Sequence, residues 1–368
     1  MKVVITGGHH SSALPVIKEL RDRIPDVEIL WMGHKHSMKN DVNPTLEYLE
    51  ITKLGIPFFN LKAGKLYKTY DIKRLLKIPF GFFQALIFLL RNRPNIIVSF
   101  GGYLAAPVVI AGYFLGIPSI THEQTAVAGY SNRLISKFVK VVMISWKKSE
   151  KYFPKNKTIF TGIPLREEIF TVKSNSFHIN ENLPTIYISA GKTGSHLINN
   201  VIRDSLESLL SFCNVVHQCG DNSVYNDFGI LESRYEDIQK KSKGNYYLRK
   251  FVFDDEIGEA YSKADLVVSR SGAHTISEII SLEKPAIFIP IPWVSHNEQF
   301  VNASVVKESG LAEIVEQKGL TPEALVGKIK YCLSNINVYK LKNKEDFGFL
   351  KKNSAGLIVD EILKFSKK

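Results

Sequence analysis

The sequence has few cysteines, no long hydrophobic run and no complete dinucleotide-binding motif. Its cysteines, Cys213, Cys219 and Cys332, are odd in number and lack metal-ligand spacing, so we expect reduced thiols in a cytosolic compartment. No uninterrupted apolar run approaches the roughly 20 residues that a membrane-spanning helix needs. The N-terminal MKVVITGG has the pattern of a strand, without the hydrophobic region and cleavage site of a signal peptide.

Acidic residues are also scarce relative to basic ones. The chain has 36 Asp and Glu against 48 Lys and Arg, which gives a net charge of +12. This excess favours acidic partners such as anionic lipid, phosphates or nucleic acid, and does not choose among them. A length of 368 residues with 45% hydrophobic content predicts a folded chain of two domains.

The two halves of the chain begin alike. The strand Lys2–Thr6 leads into GGHHSS and a helix from about Ala13 to Arg23, and the strand Thr185–Ser189 leads into AGKTGS and another helix. Further strands are predicted near 28–32, 56–61, 96–100 and 119–122. This pattern predicts an α/β fold of two Rossmann-like domains facing across a cleft. The first loop lacks the GxGxxG order, so nicotinamide or flavin binding is not supported.

The stretch Leu266 to Ala303 has the pattern of a strand, a turn, a helix and a second strand. Ser271-Gly272 is the turn, the helix is predicted over Ala273 to Leu282, and the second strand over Ala286 to Ile291. The free N–H groups at the start of this helix suit a diphosphate. Glu278, one turn further on, could accept hydrogen bonds from ribose hydroxyls. From these residues alone, an ordinary turn before a helix is an equally good interpretation.

The most apolar stretch, Ile78 to Leu90, lies within a basic region. Residues 62–93 contain eight Lys or Arg and one acidic residue, Asp71. The segment Ile72–Phe83 combines an apolar helical face with Lys73, Arg74 and Lys77, which is typical of a surface that docks on anionic lipid. A buried core helix is the alternative, and it is equally good for Leu86–Leu90.

Several of these motifs resemble those of one family. The matching segments are Ser269–Ala273 with Thr275 and Glu278, Glu298-Gln299 with Asn302-Ala303, Gly101–Tyr103, His122–Arg133 and Thr161–Arg166. They are similar to the motifs of the N-acetylglucosaminyltransferases that act on lipid-linked muramyl-pentapeptide, glycosyltransferase family 28. The resemblance implies a GT-B fold. We expect an acceptor- and membrane-binding domain at 1–165, a UDP-sugar-binding domain at 166–340, and a C-terminal helix within 341–368 that returns to the first domain.

The first loop departs most from the family pattern. GGHHSS stands where the family has GGTGGH, so Ser12 occupies the position of the family's histidine. Inverting transfer needs a base for the acceptor hydroxyl, and His10 or His9 could supply it. Glu123 and His122 are the competing candidates. Other departures are Thr125 and Ile163, each in place of an asparagine, and Lys192 in place of a serine.

The resemblance implies transfer of N-acetylglucosamine, with inversion, from its UDP donor to undecaprenyl-pyrophosphoryl-muramyl-pentapeptide. The enzyme would work at the cytoplasmic face of the membrane as a peripheral protein, without cofactor, metal or nucleic acid. A transferase for another UDP-sugar or glycolipid, a UDP-sugar epimerase and a donor-binding regulatory protein remain alternatives. The predicted donor-binding residues are Thr125, Arg166, Lys192, Asp254, Ala273, His274, Thr275, Glu278, Glu298, Gln299 and Asn302. The predicted acceptor-binding residues are Gly8, Ser11, Ser12, Gly101, Gly102, Tyr103, His122, Gln124 and Asn132.

Overall fold

A computed structural model describes residues 1–36, 44–63, 77–191, 194–222, 224–294, 297–342 and 353–365. This part of the chain divides into two compact units. The first contains the described residues of Met1–Arg166 and of Phe347–Lys368, and the second contains those of Glu167–Asp346. The segment Ile72–Leu76 of the expected lipid-docking surface and the expected donor ligand Lys192 lie outside the described residues.

The first unit is built on a parallel sheet in the order β3-β2-β1-β4-β5-β6-β7. Most of its strands are continuous apolar runs, as expected for a sheet that helices cover on both faces. The strands are β1 Lys2–Thr6, β2 Glu28–Gly33, β3 Phe58–Asn60, β4 Ile96–Ser99, β5 Ser119–Glu123, β6 Val141–Ile144 and β7 Thr158–Phe160. The helices between them are α1 His10–Arg23, α2 Leu46–Lys53, α3 Lys77–Asn92, α4 Ala105–Phe114 and α5 Tyr130–Ile135.

The second unit repeats this topology. Its parallel sheet has the order β10-β9-β8-β11-β12-β13, in which the first strand of the unit, β8, is again the third from one edge. The strands are β8 Thr185–Ser189, β9 Asn214–Gln218, β10 Tyr246–Arg249, β11 Leu266–Ser269, β12 Ala286–Phe288 and β13 Ala312–Ile314. The helices are α6 His196–Leu210, α7 Asp227–Ile238, α8 Ile257–Lys263, α9 Ala273–Ser281, α10 Glu298–Glu308 and α11 Pro322–Ser334. Short 3-10 helices lie at Lys147–Tyr152, Lys155–Lys157, Glu167–Phe170, Gln239–Lys241, Gln317–Gly319 and Ile336–Val338.

The C-terminal helix, α12 Ser354–Leu363, packs on the first unit, as its apolar spacing and the family resemblance led us to expect. Ile358, Val359 and Ile362 are fully buried in the core that lies under α1. At the edge of this contact, Arg23 of α1 donates to Asp360 with an Nη1–Oδ1 distance of 2.6 Å. Removing three aliphatic side chains from water outweighs one exposed ion pair, so hydrophobic packing holds this helix in place.

Two predicted boundaries need correction. The first helix begins at His10 and not near Ala13, so half of GGHHSS belongs to the helix. His10 and Ser12 are both buried in its first turn. The strand predicted over Ala286 to Ile291 ends at Phe288, two residues before Pro290, which has no N–H to continue the ladder. The first helix thus starts earlier than predicted, and the strand β12 ends earlier than predicted.

Candidate active site

Each unit brings two loops together at the point where its strand order reverses. In the first unit this point lies between β1 and β4, so the loops after Thr6 and Ser99 are neighbours. In the second unit it lies between β8 and β11, so the loops after Ser189 and Ser269 are neighbours. Parallel α/β sheets bind ligands at the carboxyl ends of their strands at such points. All four loops are ones that the sequence singled out.

Two carboxylates of α2 hold the first loop. Glu47 is buried, and its Oε2 accepts from the N–H of Gly8 at 2.9 Å, while its Oε1 accepts from Trp31 Nε1 at 2.8 Å. Glu50 Oε2 lies 2.5 Å from His10 Nε2. The ring of His10 is 4% exposed, so it is an internal partner of Glu50 and faces little solvent. Gly8 has φ +105°, a conformation that a side chain would strain.

His9 occupies a different environment from His10. It is exposed and lies at the N-cap position of α1, directly after β1. A Cβ placed on Gly102 would lie 3.6 Å from His9 Cδ2, so the imidazole lies against the loop after β4. Next along that loop, the half-buried Tyr103 packs on His34 with 5.5 Å between ring centroids. Burial raises the pKa of the Tyr103 hydroxyl, and the charge of Glu47 raises it further.

His122 is enclosed within the first unit. Its Nε2 donates to the carbonyl of Gly162 at 2.8 Å and lies 3.2 Å from Ser145 Oγ, and the residue is fully buried. Burial lowers the pKa of His122 to about 4, against the opposing effect of the Gly162 hydrogen bond. Its Nδ1 is buried without a partner. The imidazole is therefore neutral at pH 7 and fixed in one tautomer.

Glu123 organises the loop that follows β5. Its two oxygens accept from Thr125 N at 3.0 Å, Thr125 Oγ1 at 2.8 Å, Gly129 N at 3.1 Å and Asn132 Nδ2 at 3.0 Å. Burial raises the pKa of Glu123, while these hydrogen bonds to its charged form oppose the rise. With four donors directed at it, the carboxylate closes residues 124–129 into one turn. Thr125, in the position of the family's asparagine, uses its hydroxyl for a hydrogen bond within this turn.

The other residues predicted for the acceptor lie close by. Asn132 is buried and packs against Gly101, because a Cβ on that glycine would lie 2.7 Å from Asn132 Nδ2. Gly101 has φ +86° and Gly102 has φ +82°. Gln124 donates to the carbonyl of Phe100 at 3.2 Å, which joins the loops after β4 and β5. Ser11 is half-buried and Ser12 is fully buried in α1.

In the second unit, the N-terminus of α9 is open. Gly272 is its N-cap residue, with φ −66° and ψ 155°, and no side chain forms a capping hydrogen bond there. A Cβ on Gly272 would meet no atom within 4 Å, so space remains in front of the helix. Ala273, His274 and Thr275 form the first turn and are each half-buried. The first turn of a helix carries N–H groups without intrahelical acceptors and a partial positive charge, both of which suit an anion.

The residues after β12 join the same site. The Ser271 hydroxyl donates to the carbonyl of Gln299 at 2.7 Å, and Asn302 Nδ2 donates to the carbonyl of Ser271 at 3.0 Å. Gln299 Oε1 accepts from Ile291 N at 3.0 Å, and Glu298 is half-buried at the start of α10. Glu278 is 8% exposed and accepts from the Tyr261 hydroxyl at 2.7 Å. The described residues of the signature over 266–303 thus form one hydrogen-bonded structure around the N-terminus of α9.

The remaining predicted donor residues are placed less centrally. Arg166 is half-buried at the end of the first unit, and Asp254 is exposed in the turn before α8. Glu256 lies at the N-cap position of α8, but its side chain makes no capping hydrogen bond and instead pairs with Arg249 Nη2 at 2.9 Å. Among the described residues, no group of three or more His, Cys, Asp or Glu side chains is arranged for a metal ion.

The sequence analysis missed Glu47 and Glu50, two residues that hold the first loop. They lie far from the first loop in sequence, and only the tertiary structure brings α2 against Gly8 and His10. A signal was present, since Thr45 is an N-cap residue whose Oγ1 accepts from Tyr48 N, and the two glutamates follow at a spacing of three. That spacing puts both carboxylates on one face of the helix.

The helices α3 and α4 present an exposed aromatic surface. Phe80 and Phe83 of α3 are 52% and 58% exposed, and Phe114 at the end of α4 is 70% exposed. The half-buried Phe82 contacts both Phe83 and Phe114, with centroid separations of 5.6 and 6.2 Å. We call these four residues the aromatic surface. In the described part of the chain, no helix is both long and apolar enough to cross a bilayer.

Comparison with known proteins identifies the family. Residues 3–144 match the glycosyltransferase family 28 N-terminal domain, and residues 185–361 match its C-terminal domain. A UDP-N-acetylglucosamine–N-acetylmuramyl-(pentapeptide) pyrophosphoryl-undecaprenol N-acetylglucosamine transferase of Clostridium botulinum is 31% identical over 374 residues, covering 97% of this chain and 98% of the relative. The chain belongs to glycosyltransferase family 28. A Clostridium tetani enzyme of the same description is 29% identical, over 99% of this chain and 98% of the relative.

Solved structures agree with the GT-B fold of this family 28 glycosyltransferase. Acinetobacter baumannii MurG superimposes with a TM-score of 0.67 at 24% identity, over 99% of each chain. A UDP-GlcNAc 2-epimerase from Neisseria meningitidis, bound to UDP-GlcNAc, gives a TM-score of 0.66 at 17% identity, over 99% of this chain and 100% of the other. Because a transferase and an epimerase match equally well, these structural matches establish the fold and not the reaction.

Proposed function

We propose that the chain transfers N-acetylglucosamine from UDP-N-acetylglucosamine to undecaprenyl-pyrophosphoryl-N-acetylmuramyl-pentapeptide, with inversion at the anomeric carbon. The observation that carries this proposal is the open N-terminus of α9, in a chain that is 31% identical to a transferase relative over 374 residues. The reaction joins the acceptor hydroxyl oxygen to the anomeric carbon, while the bond from that carbon to the diphosphate breaks and its electron pair leaves with UDP.

The donor half of the proposal rests on the second unit. The diphosphate would lie against the first turn of α9, where Gly272 leaves space and the helix end offers N–H donors. The carboxylate of Glu278 would accept from the ribose hydroxyls. Glu298 and Gln299, at the start of α10, would contact the sugar or the nucleotide. The chemistry asked of these residues is binding and stabilisation of the leaving group, which is a dominant contribution in many enzymes.

The acceptor half rests on the first unit, and it favours His9 as the base. His9 is exposed beside Gly102, whereas His10 is buried against Glu50, and His122 and Glu123 are enclosed by their hydrogen-bond partners. His9 would take the proton of the acceptor hydroxyl as the new bond forms. The lipid pyrophosphate would bind the glycine loops at Gly8 and at Gly101-Gly102.

The proposed membrane docking rests on the aromatic surface. Exposed large aromatic side chains on α3 and α4, in a chain of net charge +12, suit docking on anionic lipid from the aqueous side. Docking there would bring a soluble active site to a lipid-linked acceptor. We therefore propose a peripheral enzyme at the cytoplasmic face of the membrane.

The decisive test is transfer by the purified chain. Incubation with labelled UDP-N-acetylglucosamine and a short-chain muramyl-pentapeptide pyrophosphoryl lipid should give labelled lipid and UDP in equal amounts. Label on another lipid only would reassign the acceptor. Conversion of the donor without any lipid would instead indicate an epimerase or hydrolase. Binding of donor with neither outcome would contradict an enzymatic role.

A further inference from the structure

Arg270 is a buried cation that only neutral groups contact. The side chain precedes the Ser271-Gly272 turn and is 6% exposed. Its Nη1 donates to the carbonyl of Ile289 at 2.7 Å, and its Nη2 donates to Ser195 Oγ at 2.8 Å. The amide oxygen of Gln317, turned towards the guanidinium, accepts from Nη2 at 3.0 Å and also from Nη1. Every acceptor is uncharged.

No carboxylate balances this charge within the described part of the chain. None of the ion pairs there, at a limit of 4.0 Å, involves Arg270. Its Nε is buried without an acceptor. Burial lowers the pKa of Arg270 to about 10, which leaves the side chain charged at pH 7. A buried charge costs free energy unless an opposite charge approaches it, so the site is favourable to an anion.

The contacts of Arg270 connect the two loops of the second unit's switch point. Arg270 follows β11, and Ser195 ends the loop that follows the neighbouring β8. Ser195 is also the N-cap of α6, where its Oγ accepts from Ile198 N at 3.4 Å. Arg270 is therefore adjacent in sequence to the Ser271-Gly272 turn that precedes α9. Its guanidinium also donates a hydrogen bond to Ser195, the N-cap residue of α6. Both helices direct their positive ends to the carboxyl edge of the sheet.

We propose that Arg270 is a positioning residue for the donor diphosphate: it holds Ser195 and the start of α6 in place, and its unbalanced charge attracts the diphosphate. This inference rests on the proposed function, since the diphosphate is that of the donor. Negative charge grows on the diphosphate as its bond to the sugar breaks. Arg270 therefore favours the transition state over the bound substrate, and its loss lowers kcat as well as affinity.

Calorimetric titration with UDP and with uridine tests the proposal. Arg270→Met removes the charge with similar apolar bulk, and Arg270→Lys keeps the charge without the planar fork. Arg270→Met should weaken UDP binding about tenfold or more and leave uridine binding within about twofold. Arg270→Lys should recover part of the UDP affinity. The matched control is Arg234→Met, which removes a surface arginine of the same unit, paired with Glu207, and should bind both ligands as the wild type does.

Each other outcome has a definite meaning. Unchanged UDP affinity in Arg270→Met, or equal loss for UDP and uridine, would overturn the proposal and leave Arg270 a structural residue. If Arg270→Met does not fold, Ser195→Ala replaces it, because it removes the acceptor and leaves the arginine. That variant should lose UDP affinity selectively, and wild-type UDP affinity in Ser195→Ala would overturn the proposal. Absence of UDP binding to the wild-type chain would instead refute the proposed function.

Discussion

At the residue scale, the two adjacent histidines of the first loop have different surroundings. His9 is exposed next to Gly102, and His10 is buried 2.5 Å from Glu50. Sequence reasoning placed both in one loop and could not separate them, because it started the helix three residues late. The start of α1 at His10 separates an exposed imidazole from one that stabilises the fold.

Substituting each histidine tests this difference. His9→Ala should lower kcat about a hundredfold or more with an unchanged melting temperature, since a base contributes that much and an exposed N-cap side chain contributes little to packing. His10→Ala should mainly lower the free energy of unfolding, by about 1–3 kcal/mol, because it leaves Glu50 without its partner. Initial rates and thermal melts measure both. Full activity of His9→Ala beside an inactive, folded His10→Ala would reassign the base to His10.

Two fully buried histidines, His122 and His217, predict how stability depends on pH. Burial lowers the pKa of His122 to about 4 and that of His217 to about 3, from an ordinary value near 6.5. Below about pH 6.5 these histidines bind protons in the unfolded chain but remain neutral in the folded chain. The free energy of unfolding therefore falls as the pH drops from about 6.5 towards 4. His122 alone accounts for roughly 3 kcal/mol of this loss.

Urea unfolding between pH 7 and pH 4 measures this slope. His217→Asn should reduce the slope at acid pH even if it lowers stability at pH 7. Substitution of the exposed His178 by Asn is the control and should leave the slope unchanged. A free energy of unfolding that stays constant over this range would contradict the assignment of both histidines as neutral and buried.

At the scale of elements, the sequence predicted well what local patterns determine. The strands β1 and β8 and the helix α9 begin where apolar spacing and the Ser271-Gly272 turn placed them. It failed where a distant element decides the outcome. No local signal in the sequence indicates that Glu47 accepts from the N–H of Gly8. None indicates that the Glu256 side chain pairs with Arg249 instead of capping α8.

The end of α9 gives the sharpest test at this scale. Gly272→Asp puts a carboxylate where the structure leaves open space, and aspartate is a favourable N-cap residue. The free energy of unfolding should stay equal or rise by a few tenths of a kcal/mol, while UDP affinity should fall about tenfold or more, because the new charge repels the diphosphate. Gly272→Asn is the uncharged matched control and should lose less. Equal UDP affinity in all three proteins would place the diphosphate elsewhere.

The aromatic surface of α3 and α4 makes a separate prediction. The double variant Phe83→Ser with Phe114→Ser should weaken binding to anionic vesicles about tenfold or more, since each ring contributes apolar area to the lipid contact. Val338→Ser, which removes an exposed apolar side chain from the second unit, is the control. Co-sedimentation with vesicles of phosphatidylglycerol measures the binding. Retained binding in the double variant would move the membrane contact to another surface.

At the scale of the whole molecule, the chain repeats one topology in two units with different chemistry. In both sheets the first strand of the unit is the third from one edge. The strand order reverses next to it, between β1 and β4 and between β8 and β11. The loop after the first strand presents an exposed histidine in the first unit, whereas in the second unit its last residue, Ser195, accepts a hydrogen bond from the buried Arg270. The similar opening of the two halves made this repetition predictable from the sequence. The different chemistry of the two units was not predictable in this way, because it depends on side chains that only the tertiary structure brings together.

The central claim is that the donor diphosphate binds the first turn of α9. Hydrogen–deuterium exchange of the peptide spanning Ala273–Glu278, without ligand and with saturating UDP or uridine, tests it most directly. The amides at the start of a helix have no intrahelical acceptor and exchange rapidly. UDP should slow the exchange of Ala273, His274 and Thr275 markedly, and uridine should slow it little. Unchanged exchange at these three amides, with UDP shown by calorimetry to be bound, would contradict the account.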